Sequence, residues 1–115
     1  MDHLITEKSF QFAIRIVKLH KYLRTEKDEY TLSKQILRSG TSIGANIAES
    51  QQAQSRPDFI SKLSIALKEA TETNYWLRLL HATSYLTDKE FFTMWEDCKE
   101  LEKLLTAIIN STKQT

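Results

Sequence analysis

The chain has almost no punctuation, with two glycines, one proline and one cysteine in 115 residues. Glycine and proline interrupt helix interiors more strongly than any other residue, so their scarcity leaves long stretches free to propagate as helix. The lone Cys98 excludes an internal disulfide and agrees with a reducing compartment. No apolar run nears the roughly 18 residues of a membrane-spanning helix. The opening Met1-Asp2-His3-Leu4-Ile5-Thr6-Glu7 also lacks the basic-then-apolar layout of a signal peptide. A cytoplasmic protein without membrane association is expected. Neither His-Glu-x-x-His nor a glycine-rich phosphate loop occurs, and none of His3, His20 and His81 stands at Glu-x-x-His spacing. The usual di-iron, zinc and nucleotide-hydrolysing sites are therefore not encoded. No enzymatic activity, cofactor, metal or small-molecule substrate is expected.

What is present is the composition of one helical domain, residues 1–115, rich in Leu, Lys, Glu, Ala and Ile. Four segments separate at three boundaries. The first runs from about Thr6 to Thr25, and the second from a Thr31 N-cap to about Gln54. The third opens at Ser55-Arg56-Pro57-Asp58, where Ser55 caps, Pro57 suits a first turn and Asp58 faces the positive helix end; it reaches about Ser84. The fourth starts at the capping box Thr87-Asp88-Lys89-Glu90. Long helices with short connections predict an antiparallel up-down-up-down four-helix bundle, an all-α fold.

Apolar spacing assigns the faces. Phe91, Met94, Cys98, Leu101, Leu105 and Ile108 form one stripe on the fourth helix, which makes Cys98 a core residue rather than a nucleophile. On the third, Phe59, Leu63, Ala66, Ala70 and Leu77 form another, with Asn74 and His81 on or beside it and His81 read as a hydrogen-bonded core residue. Trp76, Ile65 and Leu79 lie off that stripe. The first helix carries two stripes, Phe10, Ala13, Ile14 and Val17 beside Phe12, Ile16, Leu19 and Leu23. That is more than a bundle helix buries internally, so a homo-oligomer is expected.

Net charge is +1, but residues 1–57 hold nine bases and six acids, and residues 58–115 seven and nine. Lys8, Arg15, Lys18, Lys21 and Arg24 occur with no acid among them and are the candidate phosphate-contacting residues, while the last helix is acidic.

Both glycines fall inside the second helix. Gly40, Gly44 and Ala48 recur every four residues as a ridge on which another backbone can approach closely. Opposite it, Gln35, Arg38, Ser42, Asn46 and Glu49 form a polar band. Arg38 and Glu49 lie about 16 Å apart along the helix, too far for a direct pair, so a buried band would need partners from another helix or subunit. The band is read as a contact that sets helix or subunit register, with a ligand-reading surface as the alternative.

Gln35, Arg38, Ser42-Ile43 and Asn46-Ile47-Ala48-Glu49 resemble the signature of the four-helix-bundle family named after intervening sequences in 23S ribosomal RNA genes. Phe59, Leu63, Ala66 and Glu69 to Glu72 resemble its third-helix pattern. Ser50 departs from it, standing where the family usually has glycine. The resemblance implies a bacterial, cytoplasmic, non-enzymatic bundle assembling into a ring of five subunits, a homopentamer. A related bundle is the accessory protein of diversity-generating retroelements, whose basic ring binds a reverse transcriptase and nucleic acid. The implied function is a non-catalytic binding scaffold for RNA or a ribonucleoprotein; the alternative is a protein-interaction adaptor with no nucleic-acid role.

Overall fold

A computed structural model describes residues 2–114, the side chain of Asp2 excepted. Four helices follow in order: α1 (Asp2–Glu26), α2 (Leu32–Ser50), α3 (Arg56–Ala82) and α4 (Asp88–Lys113). No strand occurs among the described residues. Each helix packs beside the next in sequence, and α4 returns alongside α1 in a looser contact. Cross-helix contacts run in opposite order on the two partners. Lys8 and Arg15 meet Glu100 and Asp97, and His81 and Ala70 meet Asp88 and Cys98. This is the antiparallel bundle that the spacing predicts, 47 × 21 × 19 Å overall.

The helix ends show which local signals suffice. At α4, the Thr87 hydroxyl accepts from the Glu90 amide (3.2 Å) and the Glu90 carboxylate accepts from the Thr87 amide (2.9 Å), closing the expected capping box. Ser55 caps α3 through the Asp58 amide. Thr31, by contrast, is helical in backbone and makes no capping bond. The buried Glu29 takes its place, its carboxylate accepting from the Ser33 amide at 2.8 Å. Helix α2 also stops at Ser50 rather than near Gln54, because Gln51 and Gln52 turn and the Gln54 amide binds the Asp58 carboxylate of the next helix. Ser50, the family's usual glycine position, is not among the residues with positive φ and donates its hydroxyl to the Ile47 carbonyl at 2.6 Å. Nothing there requires glycine. Ser84, just past α3, does have a positive φ of 69°, and Tyr85 N–H closes back on the Leu80 carbonyl at 2.9 Å.

Phe12, Ile16 and Leu23 of α1, Ile36, Ile43 and Ile47 of α2, Leu63, Leu77 and Leu80 of α3, and Cys98, Leu101 and Leu105 of α4 build the core. The Cys98 thiol donates to the Ala70 carbonyl at 3.3 Å, and burial pushes its pKa up to about 12, so at neutral pH it is a packed, unreactive group. His81 is only half-buried. Its Nε2 lies 2.7 Å from Asp88, and its ring stacks on Phe91 with centroids 4.2 Å apart. It ties the end of α3 to the start of α4 rather than filling the core.

Candidate interaction surfaces

The glycine ridge of α2 faces α1. A Cβ at Gly40 would stand 2.7 Å from Ile16 Cδ1 and Cγ1, and one at Gly44 would stand 3.3 Å from the Ser9 carbonyl oxygen. At these two positions the absent side chain is what lets α1 lie so close. Ala48, the third residue of the ridge, is exposed, so the close contact ends after Gly44.

The polar band of α2 lies along the α2–α3 seam, at the surface of the bundle. Gln35, Arg38 and Glu49 are exposed; Ser42 and Asn46 are half-buried. Ser42 Oγ donates to the Arg38 carbonyl at 2.6 Å and Asn46 Nδ2 to the Ser42 carbonyl at 2.8 Å, so both satisfy themselves on their own helix. Arg38 crosses the seam to Glu69, at 3.4 Å, and to Glu72, which also accepts from Trp76 Nε1 at 2.9 Å. Beneath them the Thr73 hydroxyl lies 2.8 Å from both the Ser39 hydroxyl and the Glu69 carbonyl, fully buried. The partners Glu69, Glu72 and Trp76 gave no signal of their own in sequence beyond the family pattern. An acid at i and i+3 is common on helix surfaces, and only packing aims these two at Arg38.

The five basic residues of α1 do not share one face. Arg15 and Arg24 are nine residues apart, which at about 100° per residue points them in opposite directions. Lys8 binds Glu100 at 3.1 Å, and Arg15 reaches both Asp97 and, at 3.1 Å, Thr93. Both therefore bridge α1 to α4. Arg24 stacks over Tyr30, 5.5 Å from the ring centroid, and Lys18 and Lys21 are exposed.

The two apolar stripes of α1 divide sharply. Phe12, Ile16 and Leu23 are buried, with Leu19 packed against them, whereas Phe10 is 61% exposed and Val17 36%. Of the outer stripe, the bundle thus leaves Phe10 and Val17 exposed, while Ala13 and Ile14 are half-buried. Among the described residues, no group of three or more His, Cys, Asp or Glu side chains is placed to hold a metal ion, and no helix is long and apolar enough to cross a membrane.

The class defined by these features is a small antiparallel four-helix bundle whose distinctive side chains line its outer faces and seams. The family model described as 23S rRNA-intervening sequence protein matches residues 1–107, and the chain belongs to that family. A crystal structure from Bacteroides thetaiotaomicron, described as a protein of unknown function from the S23 ribosomal protein family, is similar to it. The two share 57% identity and a TM-score of 0.94, over 95% of this chain and 97% of that one. No curated protein matches the chain.

Proposed function

We propose that the protein is a non-catalytic cytoplasmic scaffold that assembles with copies of itself into a ring, five subunits by family resemblance, and binds RNA or a ribonucleoprotein. The observation that carries the assembly is the outer stripe of α1, where the bundle leaves Phe10 61% and Val17 36% exposed. Exposed apolar surface of this kind is stabilised by a second protein surface. The RNA reading rests on the family description and on cations that a ring would repeat around its circumference.

The test is the solution mass by light scattering, followed by binding of labelled structured RNA over a salt series. A pentameric wild type, and a smaller species for Phe10→Glu with unchanged helicity, would support the ring; a monomeric wild type rejects it. Binding that weakens steeply with salt would support the RNA reading. Absence of binding at low salt would leave the protein-interaction adaptor in its place.

A further inference from the structure

Counted along the chain, α4 is an acidic helix, yet the fold pairs several of its acids with groups on α1 and α3. Asp97 and Glu100 turn toward α1, where they meet Arg15 and Lys8. Glu102 turns toward α3 and accepts from Thr71 at 3.4 Å and from Asn74 at 3.2 Å. Lys99 and Lys103 remain, lining the shallow hollow between α3 and α4 together with Leu67 and Thr71. Glu102 lines the same hollow, and Glu96, Asp97 and Glu100 border an adjoining one with Trp95, Lys99 and Lys103, the last two of these acids held by Arg15 and Lys8.

Aromatic rings interleave with these cations. The Lys99 ammonium lies 5.9 Å from the Trp95 ring centroid, and Phe92, 52% exposed, lies 6.0 Å from the same ring. Trp95 is half-buried; its Nε1 has no hydrogen-bond partner among the described residues, and its ring also lies 6.1 Å from that of Phe91. Helix α3 repeats the motif. The Arg78 guanidinium sits 5.8 Å from the centroid of Tyr75, which is 49% exposed, and is braced by an Nε bond to Asn74 at 2.9 Å. The cross-helix contacts His81–Asp88 and Asn74–Glu102 bracket Arg78 and Trp95, so both cation–aromatic pairs lie on one stretch of the same seam.

We propose that this outer α3–α4 face binds single-stranded RNA, with Tyr75, Phe92 and Trp95 stacking on bases and Arg78, Lys99 and Lys103 contacting phosphates. Single strands are recognised by such alternation, because every base offers a flat face and every linkage a negative charge. A duplex keeps its bases stacked inside and cannot use the rings. The proposal rests on the RNA reading above and gives it a site distinct from the lysines of α1.

The test is fluorescence anisotropy of a labelled single-stranded oligouridylate with the full chain over a KCl series, with a duplex of equal length alongside. Variants are Lys99→Glu with Lys103→Glu, Phe92→Ala, and Lys18→Glu with Lys21→Glu, each checked for helicity by circular dichroism. The α4 lysine variant is expected to lose affinity on the order of tenfold or more and to flatten the logarithmic salt slope by roughly 0.7 per lost contact. Phe92→Ala is expected to lose on the order of tenfold with the slope unchanged. Binding that only the α1 variant weakens overturns this site while the RNA reading stands, and equal affinity for the duplex overturns the stacking. Failure of the wild type to bind either RNA at low salt removes the RNA reading and this proposal together.

Discussion

Helix α1 meets its two neighbours in opposite ways. Against α2 the contact is made by what is missing, since Gly40 admits Ile16 and Gly44 admits the backbone at Ser9. Against α4 it is made by reach, with the long side chains of Lys8 and Arg15 spanning to Glu100 and Asp97 at the surface. The first seam is closely packed and shape-determined, so a few added atoms disturb it. The second is half-exposed and electrostatic, so water and salt can replace much of what a mutation removes. A small-residue seam therefore carries specificity, and an ionic one mainly closes the bundle.

Gly40→Val should have the largest effect. Its added methyls would meet Ile16, which is fully buried and has nowhere to move. The better helix propensity of valine offsets only part of that overlap, leaving a loss of about 2 kcal/mol. For a domain of this size that lowers the melting temperature by about 10 °C in a calorimetric scan. Combining it with Ile16→Ala sharpens the assignment. If the two side chains compete for one space, the double variant will be more stable than the sum of the single losses; simple additivity would show that the clash lies elsewhere.

Replacing both Lys8 and Arg15 by alanine should cost less, about 1 kcal/mol or below for the pair, and the cost should shrink as salt is added. Chemical denaturation with urea at low and high NaCl measures this, and a loss comparable to that of Gly40→Val would contradict the contrast between the seams. The smallest effect is expected for Gly44→Ala. Its Cβ would lie 3.3 Å from the Ser9 oxygen, a tight contact that the helix can relieve by a slight shift. The roughly 1 kcal/mol gained in helix propensity balances that strain, so stability should stay within about 0.5 kcal/mol of wild type.

Local chemistry was legible wherever its partners were also local. Thr87 and Glu90, three residues apart, form the box that their spacing predicts, and the stripe from Met94 to Ile108 is buried as its period requires. Thr31 is the exception, because Glu29, only four residues before Ser33, reaches the Ser33 amide from the preceding loop. The candidate surfaces were harder to read. Gln35, Arg38, Ser42, Asn46 and Glu49 were visible as a band, but not that Glu69 and Glu72 would answer Arg38 from α3. Likewise, the five cations of α1 looked alike in a row, and only the placement of α4 engages Lys8 and Arg15 while leaving Lys18 and Lys21 exposed.

By itself, the sequence determined that this chain forms four helices, where they begin in α3 and α4, and which residues fill most of the core. Those outcomes depend on backbone propensity, capping over three residues and apolar spacing over one or two turns, all of which act within a segment. Only the tertiary structure decided which of two equally apolar stripes of α1 faces inward, and which acids of α4 are spent on neighbouring helices. Burial and charge pairing are properties of helices set side by side, and no periodicity along one helix contains the orientation of the next.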